Sequence, residues 1–327
     1  MKSDRIQILD ILRGFALMGI LFANIPGIAR MPIPTDGEAG YAVSRFIDLA
    51  VEQRFYPIFC LLFGAGFVIF MRNAQAKGAS PFKLMARRLG FLAVFGIAHQ
   101  FLQTGEALLP YAIFGLIVLP LYKLPPIGLF AAAVIVLGLF WGLQTDFLVV
   151  PAVFCLGMAL GKIGFFERRG QYRRALVFVW LASLLLIAPA VWAQENVLLP
   201  VWPSPLATVA GLIIAIAVTA SLLLFPKTES WLAWLAPFGR MALTNYILQS
   251  VIVLLVALAA GGYESLHYTA VPAIWLAVLA AQIPLSALWL RRFHYGPLEW
   301  LWRAGTYWRR PPMLREQAAG MRKAPAV

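Results

Sequence analysis

Apolar stretches of roughly 17–22 residues recur along the chain with short polar or proline-bearing breaks between them, long enough for a helix to cross a bilayer. The pattern predicts ten helices, over about 8–26, 55–72, 88–104, 106–122, 127–143, 146–164, 175–193, 205–225, 239–260 and 271–290. Breakers stand where turns are needed: Lys123-Leu124-Pro125-Pro126, Gln144-Thr145-Asp146 and Pro200-Val201-Trp202-Pro203-Ser204-Pro205. The third and fourth stretches are short, and only Thr104-Gly105-Glu106 divides them. They are expected to form a tight hairpin that stops short of a full crossing, its tip buried in protein. The predicted fold is an all-α polytopic transmembrane bundle over residues 1–290, followed by a basic, aromatic tail over 291–327. No small-residue cleavage site follows the first stretch, so it is expected to stay as a span and not to act as a removed signal.

Composition supports this class. Of 327 residues, 61% are hydrophobic and 13% charged, and the mean hydropathy of +0.80 lies far above that of a soluble domain. Cys60 and Cys155 fall inside apolar stretches and read as small packing residues, and the three histidines show no metal-ligand spacing with them.

Charge then orients the bundle. The connection 72–88 carries Arg72, Lys77, Lys83, Arg87 and Arg88 with no acid, and 162–174 carries Lys162, Arg168, Arg169, Arg173 and Arg174 against Glu167. The tail adds Arg291, Arg292, Arg303, Arg309, Arg310, Arg315, Arg322 and Lys323. The alternate connections hold Arg30, Arg45 and Arg54 but most of the acids. By the positive-inside rule both termini are cytoplasmic, which an even count of spans requires. The net charge of +13 is thereby explained by topology, and no nucleic-acid partner is implied. The mixed arginine and aromatic composition of 291–308 suits a segment lying in the inner interface, with a gating or partner-binding role as the alternative.

A few polar residues interrupt the apolar helices. At the bilayer centre an arginine costs between about 3 and more than 10 kcal/mol, so Arg13 must snorkel, pair or face a wet cavity. Asp10 lies three residues back on the same helical face, and Asn24 lies roughly 16 Å further along it. His99, Gln103 and Glu106 fall at i, i+4 and i+7, one face of one helix if Gly105 does not break it. An imidazole beside a carboxylate suits general base catalysis; a packed, hydrogen-bonded histidine is the bland alternative. Asn245 and Gln249, at i and i+4 behind Arg240 and Thr244, either bind substrate or bond a neighbouring helix, with packing favoured.

Several blocks carry a family resemblance. These are Leu9-Asp10-Ile11-Leu12-Arg13-Gly14-Phe15-Ala16-Leu17-Met18-Gly19-Ile20, Arg54-Phe55-Tyr56-Pro57-Ile58-Phe59-Cys60-Leu61-Leu62-Phe63-Gly64-Ala65-Gly66-Phe67 and Phe95-Gly96-Ile97-Ala98-His99, then Pro237-Phe238-Gly239-Arg240-Met241-Ala242-Leu243-Thr244-Asn245-Tyr246-Ile247-Leu248-Gln249-Ser250 and Tyr295-Gly296-Pro297-Leu298-Glu299-Trp300. In this order they resemble the YeiB-like bacterial membrane proteins, which carry a domain of unknown function. Gly105-Glu106-Ala107-Leu108 stands where that family usually has Gly-Asp-Ile-Leu. The family is distantly similar to transmembrane acyltransferases, including the lysosomal heparan-glucosaminide acetyltransferase. The shared element is a first-helix arginine with a polar residue eleven positions on, here Arg13 and Asn24.

The resemblance implies a bacterial inner-membrane protein that moves an acyl group from cytoplasmic acyl-CoA to an extracytoplasmic hydroxyl or amine. Asp10, Arg13 and Asn24 would hold the donor, His99 would be the base, Glu106 its orienter, and Asn245 and Gln249 would meet the acceptor, a small molecule or glycan. Membrane lipids and a second copy of the chain are the other partners admitted, and no metal is implied. The alternative is a transporter or lipid-handling protein whose pathway these polar faces line, although no paired half-repeats accompany it. A non-catalytic scaffold is the third reading.

Overall fold

The computed structural model describes residues 6–197 and 204–315. The breaker at Pro200–Pro203 and the charges Arg322 and Lys323 lie outside them. Every named element is helical: α1 (Gln7–Ala29), α2 (Tyr41–Phe46), α3 (Tyr56–Ala76), α4 (Pro81–His99), α5 (Leu108–Val118), α6 (Pro126–Leu143) and α7 (Val149–Lys162), then α8 (Arg173–Asn196), α9 (Pro205–Leu224), α10 (Pro226–Trp231), α11 (Ala236–Arg240), α12 (Ala242–Ala259), α13 (Val271–Arg292) and α14 (Pro297–Tyr307). Among the described residues seven helices are long and apolar enough to cross a membrane: α1, α3, α6, α8, α9, α12 and α13. The chain is a helical membrane protein.

A helix occupies each of the ten expected stretches, but three fall outside that set. α4 carries Lys83, Arg87 and Arg88 in its first half, α5 has 11 residues, and α7 has 14. At 1.5 Å per residue α7 is only about 21 Å long, against a hydrocarbon core of about 30 Å. The ninth stretch is also divided, because the helix breaks at Met241 between α11 and α12.

Lipid tails offer helices no hydrophobic reason to associate, so close approach of small residues must supply much of the packing. Gly64 on α3 and Gly157 on α7 supply it reciprocally: a Cβ on either would lie 2.2 Å from a carbonyl oxygen of the other helix. Gly239 on α11 touches α1 more tightly still, a Cβ there falling 1.9 Å from Asp10 O, which brings Arg240 beside the start of α1. Gly96 lets α5 pack back against α4, where a Cβ would meet Leu109 N at 2.4 Å. α1 and α3 form the centre of the bundle, while α6 and α8 present Ile127, Ile135, Phe178 and Leu185 outward.

The start of α1 and the end of α13 meet at one end of the bundle, here the near end; the connections after α1, α4 and α12 mark the far end. The segment after α13 is no loose tail. Trp302 donates its indole N–H to Arg88 O at 2.7 Å and lies under the Arg88 guanidinium at 3.6 Å, so α14 docks on α4. Glu299 accepts Leu243 N at 2.8 Å, Thr244 N at 3.0 Å and Thr244 Oγ1 at 2.6 Å, while Leu298 N donates back to Thr244 Oγ1 at 3.1 Å. Each helix thus satisfies amides that the other's first turn leaves without an internal acceptor.

Candidate functional site

α1, α3, α4, α5, α12 and α14 enclose a cavity of about 1070 Å³ that extends along the bundle. Its near half is walled by Arg13, Arg88, Arg240 and Arg303, with Glu299 and Trp302 from α14. Its waist is apolar, formed by Leu17, Phe59, Leu62, Phe63, Leu89 and Leu92. Its far half is walled by Asn24, Asp48, Glu52, Gln103, Glu106 and Asp146. The near end holds four arginines and one carboxylate, Glu299, and the far end four carboxylates, Asp48, Glu52, Glu106 and Asp146.

Arg13 makes the expected pair with Asp10 at 3.0 Å; the arginine side chain is 27% exposed and the aspartate 4%. A buried acid thus anchors the guanidinium in the cavity wall. Gly66 keeps that space open, since a Cβ there would sit 3.3 Å from Arg13 Nη2. Asn24 lines the same cavity in its opposite half, so the two residues share a wall without sharing a subsite.

His99, Gln103 and Glu106 do come together, though by a turn and not by a helical face. α4 ends at His99, and Gly105 adopts a φ of +78°, which glycine tolerates best. The chain then folds back so that Glu106 caps α5, its carboxylate accepting Leu108 N and Leu109 N at 2.6 Å each. This places Glu106 Oε2 3.5 Å from His99 Nδ1, with neither side chain exposed. The tip itself, Thr104 and Gly105, is exposed; only Gln103 and Glu106 beside it are buried, which corrects the expected buried tip. Glu106 is in the cavity wall and His99 lies behind it, edge-on to Tyr246 with ring centroids 4.9 Å apart. The cavity therefore meets the carboxylate first, the reverse of the order that a histidine base with a carboxylate orienter requires.

Asn245 and Gln249 are each 2% exposed and lie outside the cavity wall. Asn245 donates to Phe238 O and Ser286 Oγ at 3.0 Å each, tying α12 to α11 and α13. The helix-bonding alternative describes Asn245. The side-chain atoms of Gln249 are buried without a hydrogen-bond partner. No cluster of metal-ligating side chains occurs among the described residues.

Several site residues escaped the sequence reading. Ser250 Oγ lies 2.9 Å from His99 Nε2 and donates to Gln103 Oε1 at 3.0 Å. Nothing in the pattern marks a lone serine in an apolar helix. Arg54, counted among loop charges, is 1% exposed and donates to Glu52 O, to Leu49 O at 2.9 Å and to Gln194 Oε1 at 2.7 Å. Asp146 Oδ1 accepts from Thr208 Oγ1 at 2.8 Å. The three polar residues in a row at Glu52-Gln53-Arg54, abutting an apolar block, were the available signal for Arg54.

The family model described as "Protein of unknown function (DUF418)" matches residues 160–309. An uncharacterized 39.9 kDa protein in the amylase 3' region of Bacillus acidopullulyticus is 33% identical, the match covering 97% of this chain and 98% of the relative. The uncharacterized YxaH of Bacillus subtilis is 28% identical over 94% of this chain and 95% of its own. The uncharacterized YeiB of Escherichia coli is 26% identical over 92% and 96%. No solved structure matches the chain.

Proposed function

The chain belongs to the DUF418 family of YeiB-like membrane proteins, and from the charge pattern of its cavity we propose that it transfers an acyl group from acyl-CoA to a hydroxyl or amine across a bacterial inner membrane. In this reading the near end is cytoplasmic, α4, α5 and α7 complete ten crossings, and the fold is of the transmembrane acyltransferase type. The observation that carries the proposal is the cavity's polarity, with four arginines against one carboxylate at one end and four carboxylates at the other. Arginine's planar fork suits the phosphates of a CoA-type donor. From the depth of Arg13 to that of Asn24 is roughly 16 Å along α1. An extended pantetheine arm, about a dozen bonds long, spans roughly 15 Å. A donor whose phosphates rest on the arginines thus delivers its thioester to the level of Glu106 through an apolar waist.

There the acceptor's oxygen or nitrogen attacks the thioester carbonyl, the new C–O or C–N bond forms, and the C–S bond breaks. The acceptor's proton passes to the ionised carboxylate of Glu106, the member of the Glu106–His99 pair in the wall, and the departing thiolate takes a proton back. The test is labelled acyl transfer in liposomes with candidate acceptors, read beside a melting curve for each variant. His99→Ala and Glu106→Ala are expected to lose about 10²–10⁴-fold in rate. Full activity in both variants removes the pair from the mechanism. A cavity running from end to end also favours a transporter, which the same liposomes reveal as uptake without an acylated product.

A further inference from the structure

Glu106, His99, Ser250 and Gln103 form a buried row, Gln103 7% exposed and the other three 1% each; its two ends, Glu106 and Gln103, belong to the cavity wall, and its middle lies behind it. Hydrogen-bond arithmetic fixes what each member does. A serine hydroxyl has one proton to give. Ser250 gives it to Gln103 Oε1 at 3.0 Å, so toward His99 Nε2, 2.9 Å away, it has only a lone pair to offer. His99 Nε2 must then carry a proton. That leaves Nδ1 as the nitrogen 3.5 Å from Glu106 Oε2, with no hydrogen-bond partner. A bare Nδ1 lone pair aimed at a carboxylate inside a sealed site is repulsive and unsatisfied. One proton placed between the two removes both penalties, whether it sits on Nδ1 or on Oε2.

We propose that Ser250 and Gln103 are positioning residues that commit His99 to protonation at Nε2, making Nδ1 and Glu106 Oε2 a buried site that holds one shared proton beside the cavity. The charged and titratable neighbours are accounted for on each side: Glu106 from the turn before α5, and Tyr246 from α12, whose hydroxyl accepts Ala107 N at 3.3 Å. Moving the proton between Nδ1 and Oε2 makes and breaks one N–H and one O–H bond and needs no other reactant. Glu106, which reaches the wall, is where the site exchanges that proton with whatever the cavity binds. This inference does not depend on acyl transfer, since a proton-coupled transporter uses the same device.

The test reads the ring directly. The chain has three histidines, His99, His267 and His294, so full-length protein with nitrogen-isotope-labelled histidine, reconstituted in liposomes, gives a resolvable set of ring signals. The pair that vanishes in His99→Asn belongs to His99. The parent is expected to show Nε2 protonated and Nδ1 bearing or sharing a proton. Glu106→Gln is expected to strip Nδ1 of its proton and leave Nε2 unchanged. Ser250→Ala releases the constraint and shifts the ring toward protonation at Nδ1, whereas Ser250→Thr, which keeps a hydroxyl, retains the parent pattern. Gln103→Leu removes the acceptor for Ser250 and provides the same readout if Ser250→Ala does not fold. An unprotonated Nε2 in the parent overturns the proposal, because Ser250 then donates to the ring. So does a ring spectrum that neither Ser250→Ala nor Gln103→Leu moves.

Discussion

Arg13 and Arg54 belong to opposite ends of the same cavity, and they differ in what holds their guanidinium groups. At the near end, Arg13 rests on one buried carboxylate and keeps 27% of its side chain exposed. At the far end, Arg54 lies behind the wall, 1% exposed, and spends its donors on two backbone carbonyls of its own connection and on Gln194 of α8. The first arrangement keeps part of a cation in the cavity wall. The second uses a cation as a structural peg, fastening the loop between α2 and α3 to a peripheral helix. Burial alone does not distinguish a working arginine from a structural one; the identity of the acceptors does.

The largest effect that follows is on Arg54. Arg54→Leu removes charge-assisted bonds and leaves buried carbonyls without donors, which is expected to destabilise the protein by about 3 kcal/mol or more. Arg54→Lys recovers only part, because one ammonium cannot reach three separated acceptors. Denaturation of both variants in detergent is the check, and a loss below about 1 kcal/mol in Arg54→Leu erases the contrast with Arg13. Next is Gly239, where a side chain must push α11 off α1. Gly239→Val is expected to cost about 2 kcal/mol and to separate Arg240 from Arg13. Weakened CoA binding in this variant beyond what its lowered melting point explains then ties the helix contact to the near-end site.

Arg13 itself is expected to matter for binding and little for folding. Arg13→Lys keeps the charge beside Asp10 but loses the fork, so acyl-CoA affinity should fall about tenfold or more with the melting curve nearly unchanged. If Arg13→Gln binds the donor as tightly as the parent, the near end is not the donor's entrance and Arg13 is a peg like Arg54.

What the sequence revealed follows from how local each signal is. Helix positions were legible because twenty apolar residues in a row are a local property, and the Asp10–Arg13 pair because three residues of helix set its geometry. The His99–Glu106 contact was anticipated for the wrong reason. A helical face was assumed across Gly105, whereas a turn with positive φ brings the two together. Ser250 and Gln194 were invisible, since each meets its partner across more than a hundred residues of chain. Glu299 was read as part of an interfacial anchor, because nothing local in Pro297-Leu298-Glu299-Trp300 announces that its carboxylate caps the first turn of α12.

Glu299 supplies the smallest effect, and it sharpens the comparison by asking whether the near end is fixed or adjustable. Burial pushes its carboxyl above the ordinary range, while the bonds from Thr244 and Leu243 pull it back only in part. The sign follows from linkage. A group whose pKa is higher folded than unfolded binds its proton more tightly in the folded state, so its contribution is present in acid and is lost as pH rises through the folded value. Docking of α14 onto α12 should therefore be firmest below the ordinary carboxylate range and loosen as pH rises through the raised folded value, widening access to the arginines. Hydrogen exchange at the amides of α14, followed across that range, is the measurement, with protection falling as pH rises after correction for the intrinsic rate. Glu299→Gln keeps an acceptor for Thr244 but cannot ionise, and should make the protection independent of pH. If the parent and Glu299→Gln show the same pH dependence, some other group governs α14, and the near end is as fixed as the peg at Arg54.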